Sequence, residues 1–290
     1  MAAPTRTIPR RPAVVAAATF LAAALGAISF AERPLTAPLP DRLEIADLTW
    51  VELRGMVRAG YTTVLVPSGG IEQNGPHLVL GKHDRIVAGT ARAIAARHGR
   101  ALVAPVISYV PEGEPGSGRG HMRFPGTIGV SDAAFEAVLD GIARSLKASG
   151  FRVICFLADS SDTLPAQRRA AERLSREWAG EGVRVLGIEY GADAAQLAWL
   201  RSQGETAETI GRHGGIQDAA ELLASYPDGV RASSGQAGWP RSEPTGSDGD
   251  PSRATAEQGR VLLGMKVEAA LAQMGAAGPT EVGLRLRPTQ

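Results

Sequence analysis

Cysteine, aromatic residues and net charge are all scarce in this chain, and each shortage closes off a class of reading. The single Cys155 cannot form an internal disulfide. It lies inside the apolar run Val153–Leu157, which assigns it to a core. Net charge is +1 and no basic run occurs, so the electrostatic footprint of a nucleic-acid or anionic-membrane binder is missing. Aromatics make up 5% of the residues, and none belongs to an aromatic-plus-basic motif. There is no internal repeat and no linker that would split the body. What remains is an ordinary globular composition, 44% hydrophobic and 21% charged over 290 residues, enough for one large domain.

The N-terminus reads as a targeting segment. Arg6, Arg10 and Arg11 precede an uncharged, Ala-rich stretch from Ala13 to Ala31, and Ser29-Phe30-Ala31 offers small residues at −3 and −1. Cleavage there makes residues 1–31 a signal peptide and Glu32 the mature start. An uncleaved anchor is the other reading of the stretch, and Arg10-Arg11 carries a hint of twin-arginine export. The expectation is an exported protein, periplasmic or secreted, with no membrane contact after cleavage. Residues 32–47 form a Pro-containing lead-in, 48–275 the domain and 276–290 a tail.

Within the domain, short apolar runs alternate with helical patterns. Strands are expected at Thr63–Val66, Ala101–Ile107, Phe151–Leu157 and Val183–Ile188. Pro67, Ser68, Gly69 and Gly70 are expected to end the first strand. Helices are expected over Leu48–Gly60, Arg85–His98, from an N-cap at Ser131 to a stop at Gly150, Pro165–Gly180, and near 192–203, 217–225 and 254–274. Residues 110–120 and 229–252 are loops by their Gly, Pro and Ser content. This is the βαβ rhythm of an α/β fold, a mostly parallel sheet covered on both faces.

Polar residues gather just after the strands, where open α/β sheets bind ligands. Glu72, Asn74, His77, His83 and Asp84 follow the first strand; His121 stands before Phe124-Pro-Gly-Thr; Asp159, Ser160 and Asp162 follow the third; His213 opens a later helix. Glu72-Gln-Asn-Gly-Pro-His-Leu-Val-Leu-Gly resembles the creatininase (creatinine amidohydrolase) motif E-Q-H-G-P-H-L-P-L-G-T-D. Phe124-Pro-Gly-Thr-Ile128 is similar to that family's F-P-G-T-I, and His213-Gly-Gly with Asp218 to its H-A-G-x-x-E-T-S. Gly249-Asp-Pro, Ala254 and Glu257-Gln-Gly259 resemble its C-terminal portion, so the likeness spans about residues 45–275. The resemblance implies a three-layer α/β/α fold, often a homo-oligomer, and a two-metal hydrolase of small cyclic or linear amides.

Carried over residue by residue, the metal ligands depart from that pattern. The family's first Glu falls on Glu72, but its next His falls on Asn74, its metal-bridging Asp on His83 and its later His on Ser160. Where some members place a ligand Glu, this chain has Asp162, and the catalytic-side His falls on His213. A carboxylate can bridge two cations, whereas one imidazole nitrogen binds one. One divalent ion, Zn or Mn, held by Glu72, His83 and one of Asp159 or Asp162 is therefore expected, with His213 or His121 moving a proton. Asn74, His77, Ser160 and Asp84 are candidate substrate-binding groups, His77 having also a structural reading within its Gly-Pro turn. Asp159 and Asp162 have a second reading as caps for the helix near Pro165. Arg119 and Arg123 read as substrate-carboxylate binders or solvated surface. Two other functions stay open: an inactive protein of the same fold that binds a small ligand or partner, and a metal-free hydrolase using a pair such as Glu72 and His213.

Overall fold

Six consecutive buried residues, Thr63–Ser68, form the strand on which the rest is laid. In the computed structural model, which describes residues 41–189, 193–231 and 245–275, the elements follow in order. They are α1 (Trp50–Arg58), β1 (Thr63–Ser68), α2 (Lys82–His98), β2 (Ala101–Val103), α3 (Asp132–Ala148), β3 (Val153–Ala158), α4 (Leu164–Glu177), β4 (Arg184–Ile188), α5 (Asp193–Ser202), α6 (Ala207–Ile210), α7 (Ile216–Ser225) and α8 (Ala256–Met274). All strand pairs are parallel, in the order β2-β1-β3-β4.

Alternation along the central strands builds two cores. Val64, Val66, Ile154 and Phe156 pack on one face with Met56 of α1, Phe135 and Leu139 of α3, and Ala170 and Leu174 of α4. Leu65, Cys155 and Leu157 pack on the other with Val87 and Ile94 of α2 and Val267 and Ala270 of α8. The fold is thus the expected three-layer α/β arrangement. Cys155 is buried, and burial pushes its thiol up to about 12, so it is an inert core residue. Ser131 caps α3 as expected, accepting from Ala134 N–H.

Three boundaries differ from the sequence reading. Pro67 stands inside β1 instead of ending it. Its carbonyl accepts from Ile107 N–H at 2.9 Å, and in a parallel strand the N–H of that residue would face the same side. The paired register with β2 stops at Leu65 opposite Val103, so the donor that proline lacks has no strand partner there. The second strand pairs only over Ala101–Val103, because Pro105 interrupts the ladder. The second helix starts at Lys82, ahead of the expected Arg85, which puts Lys82, His83 and Asp84 on its first turn.

Part of the expected lead-in is also visible: Leu43 accepts from Val103 N–H at 2.8 Å, extending the β2 side of the sheet. The expected signal peptide, the tail and most of the 229–252 loop lie outside the described residues. No helix among the described residues is long and apolar enough to cross a membrane.

α7 and α8 approach closely because Gly259 has no side chain. A Cβ there would lie 1.9 Å from the Ala220 carbonyl oxygen, a backbone atom that cannot swing away. Gly259→Ala should therefore destabilise the protein by about 1–3 kcal/mol through overpacking, measured as a lower urea midpoint, whereas Gly264→Ala, which meets open space, should not.

Candidate metal centre

The carboxyl ends of β1 and β3, the two middle strands, lie side by side: Asp159 N–H bonds to the Ser68 carbonyl at 3.1 Å. Glu72 follows β1, Asp159 follows β3, and His83 on the first turn of α2 reaches between them. Its Nε2 is 2.7 Å from Glu72 Oε1 and its Nδ1 2.7 Å from Asp159 Oδ2. Lys266 of α8 continues the chain, with Nζ 3.0 Å from Asp159 Oδ1 and 2.6 Å from Glu221 Oε2 of α7. Gln196 Nε2 donates to the other Glu221 oxygen at 2.9 Å.

Each titratable group is moved by these neighbours. Burial raises Glu72 and Asp159, but hydrogen bonds and charges from His83, with Lys266 at Asp159, outweigh it and hold both carboxyls well below their ordinary range. Burial and the nearby Lys82 push His83 down, yet its two carboxylate partners prevail and lift it to about 9. Both ring nitrogens donate, as only an imidazolium can. Two cations, Lys82 and His83, on the positive end of α2 would be unfavourable alone. Lys82 is paired with Asp218 at 2.7 Å, and His83 with its two carboxylates.

Hence Glu72, His83, Asp159 and Asp162, the ligand set expected from sequence, do not assemble around a cation. His83 has no nitrogen lone pair left, both Asp159 oxygens face protein cations, and Asp162 is exposed in the 3-10 turn Ser161–Thr163. Neither aspartate caps α4, whose N-cap Thr163 makes no side-chain cap bond.

Glu72 instead offers its second oxygen elsewhere. Oε2 lies 3.6 Å from His121 Nδ1, and the His121 and His213 rings stack at 4.4 Å between centroids, tilted by 47°. One ligand atom from each of Glu72, His121 and His213 lies within 4.8 Å of the others, and among the described residues this is the group of three that could hold a metal ion. Gln73 Nε2 lies 2.9 Å from His121 Nδ1, and His213 Nε2 donates to the Gln73 carbonyl oxygen at 2.8 Å. The Gln73 amide N–H thus points where a cation would accept the same His121 lone pair. Burial lowers His213, which keeps it neutral and able to ligate. Two imidazoles and a carboxylate with an open fourth position is the donor set of a catalytic zinc site, so these residues fit a metal ion.

The loop carrying His213 is pinned three ways. Asp248 Oδ1 accepts from the Arg212 and His213 amides at 2.6 and 2.7 Å. Asp218 accepts from Gly214 N–H at 2.6 Å, and His77 Nε2 meets the Gly214 carbonyl at 2.8 Å. His77 is therefore a tie between loops. Asp84 accepts from Gly70 N–H at 3.0 Å and locks the turn after β1 to α2. Asn74 is buried, donates to the Glu72 carbonyl at 3.1 Å, and its Oδ1 has no hydrogen-bond partner. Ser160 donates to Glu112 Oε2 at 3.4 Å. Burial and the charge of Glu72 push buried Glu112 up to about 9, so it carries a proton.

Gln73, Lys82, Glu112, Glu221 and Lys266 were not singled out from sequence. A signal existed for Lys266, the lone charge in the apolar stretch Val261–Val267. Glu112 was hidden in a Gly-Pro loop.

A family profile described as creatininase, creatinine amidohydrolase, matches residues 46–274. The chain is 29% identical over 238 residues to a mycofactocin precursor peptide peptidase of Mycobacterium ulcerans (strain Agy99), covering 77% of this chain and 89% of that protein. It is 26% identical over 190 residues to a creatinine amidohydrolase of Pseudomonas putida, covering 63% and 72%. A solved creatinine amidohydrolase (creatininase) superposes with a TM-score of 0.66 at 25% identity, covering 83% of this chain and 100% of that one. Solved creatininases include a manganese form and a variant of Zn-Zn type.

Removing His83 leaves Glu72 and Asp159 buried without their shared cation. His83→Ala should cost about 3–5 kcal/mol of stability, the usual penalty for breaking a buried ion pair. Urea unfolding at pH 7 would measure it, and a loss below about 1 kcal/mol would remove His83 from its structural role.

Proposed function

The chain belongs to the creatininase family, and we propose that within it this protein is an exported hydrolase of a small cyclic or linear amide that works with one divalent ion. Family membership makes it an amidohydrolase acting on C–N bonds. The observation that carries the finer reading is the convergence of Glu72, His121 and His213, with ligand atoms within 4.8 Å of one another. When bound there, Zn²⁺ or Mn²⁺ would polarise an amide carbonyl and lower the pKa of a water.

The chain's own residues set the stage for that chemistry. His83 holds Glu72 by Oε1 and so keeps Oε2 turned toward His121. The Gln73 carboxamide, beside the His121 imidazole, is placed to orient a polar ligand group. Protonated Glu112 beside Glu72 holds a proton in a buried position. Asp218, Asp248 and His77 keep the His213 loop in place, so that its imidazole is held before a ligand arrives.

A peptide amide is a second substrate reading, favoured by the likeness to a peptidase that covers more of both chains than the likeness to creatinine amidohydrolase does. Export rests on the Arg-led, Ala-rich segment ending at Ala31. A homo-oligomer rests on the family likeness alone.

Metal analysis by inductively coupled plasma mass spectrometry should find about one equivalent in the purified protein. Glu72→Ala, His121→Ala and His213→Ala should each weaken metal binding by at least the roughly 10–100-fold that loss of a supporting residue costs, with amide hydrolysis lost in step. Retention of metal and activity in all three variants would sink the site. Expressed with its full N-terminus in a bacterial host, the protein should be recovered from the periplasm or medium beginning at Glu32; recovery from the cytoplasm with residues 1–31 intact would remove export.

A further inference from the structure

Arg123 carries a charge that no acid answers among the described residues. It closes the 3-10 turn Gly120–Arg123 that also carries His121. Met122 of the same turn packs against Gly113 and Gly129, while Arg123 is exposed. Its guanidinium carbon lies 5.1 Å from the Phe124 ring centroid, a cation–π contact. The exposed arginines of α3 and α4 differ: Arg144 is paired with Asp140 and Glu177, Arg169 with Asp132 and Glu136, and Arg173 with Asp140.

The ring beneath the guanidinium reaches the candidate site. A Cβ on Gly246 would lie 3.0 Å from Phe124 Cζ and 2.1 Å from Gln73 Oε1, so ring and carboxamide meet at one spot. The carboxamide nitrogen of Gln73 lies in turn 2.9 Å from His121 Nδ1. Guanidinium, aromatic ring, amide and imidazole therefore form one path from the surface to the candidate metal centre. Apolar side chains flank it, with Leu80 and Ile128 exposed at 37% and 43%. Leu80 Cδ1 lies 2.4 Å from where a Cβ on Gly126 would stand, in the turn after Phe124. Ile128 N–H bonds at 2.9 Å to the carbonyl of Ile71, the residue before Glu72.

A guanidinium presents a fork of donors that matches a carboxylate, and an aromatic face beneath it holds the fork in place. The apolar side chains beside it suit an aliphatic group. A simple cyclic amide bears no carboxylate until its ring is opened, whereas a linear amide of an amino acid bears one from the start. We propose that Arg123 selects amides whose amine part is an amino acid with a free carboxylate, either an N-acyl amino acid or the C-terminal residue of a short peptide. The inference rests on the amidohydrolase reading above and narrows its substrate class. In such a hydrolysis the acyl carbon takes the hydroxyl of water, the C–N bond breaks, and the nitrogen takes the remaining proton and leaves as the amino acid. Arg123 binds the carboxylate and touches no reacting atom, so it is a specificity-determining residue.

The test compares N-acetyl-leucine with N-isopentylacetamide, the same amide without its carboxylate, on the chain loaded with Mn²⁺. Affinity is read by isothermal titration calorimetry and hydrolysis by release of the amine. The proteins are the parent, Arg123→Gln and Arg176→Gln, the last an exposed arginine of α4 that serves as a charge control. The parent should bind and cleave N-acetyl-leucine about 3–10-fold better, the effect of one exposed charge-assisted contact, with the difference in KM. Arg123→Gln should lose most of that preference and Arg176→Gln should keep it. Equal treatment of the two amides by the parent, absence of any binding included, overturns the proposal, as does an undiminished preference in Arg123→Gln. Hydrolysis without the preference keeps the amidohydrolase reading and refutes the role of Arg123. Preference in affinity without hydrolysis of either amide, with metal bound, keeps Arg123 as the carboxylate anchor and counts against the amidohydrolase reading.

Discussion

Three buried carboxylates cannot share one pocket without cations between them, and this chain meets that constraint with its own side chains. Burial of an unpaired carboxylate costs several kcal/mol, so Glu72, Asp159 and Glu221 would repel one another and take up protons if left alone. His83 and Lys266 alternate with them, and every link is between 2.6 and 3.0 Å. The alternation joins the ends of β1 and β3 to α2, α7 and α8, so the polar chain also fastens the helices of one layer to the sheet. Gly259 has its place in the same arrangement, since α8 delivers Lys266 to Glu221 only where the two helices approach closely.

What that chain leaves unused defines the candidate site. Of all its carboxylate oxygens, Glu72 Oε2 alone faces the imidazoles of His121 and His213. Burial and the ionised Glu72 beside it keep Glu112 protonated, because two adjacent ionised carboxylates would repel. A carboxylate, a carboxylic acid and the His213 imidazole that burial keeps neutral are the ingredients of general acid–base chemistry at an amide.

The fold was largely legible because it rests on short-range pattern. β1 and β3 read as apolar runs, Ser131 as a cap, and the alternation of strands with helices as a parallel sheet. Pro67 misled because a proline's cost depends on which side its missing donor faces, a fact of the register between strands and not of the residues around it. The site was legible in part. Glu72, His121 and His213 were each singled out, but the two histidines as proton carriers, since nothing in the spacing of residues 72, 121 and 213 shows that three loops meet. Lys266 and Glu221 were missed for the same reason: their partners lie on other elements, and an ion pair across 45 or 107 positions leaves no local trace.

The departures from the family motif at residues 74, 83 and 160 read singly as losses, each removing a metal ligand. The structure relates two of them through charge. A histidine at 83 is a cation once it lies between two carboxylates, so it supplies between Glu72 and Asp159 the positive charge that an aspartate there would have had to draw from bound metal. Ser160 in place of an imidazole gives a hydroxyl donor to Glu112, which suits a neutral carboxyl better than a cation nearby would. Asn74 differs, since its amide holds the Glu72 carbonyl and leaves an unpartnered Oδ1, and nothing in the structure explains that orphan. Random loss of ligands would leave buried carboxylates uncompensated. Here they are paired with Lys266 and His83.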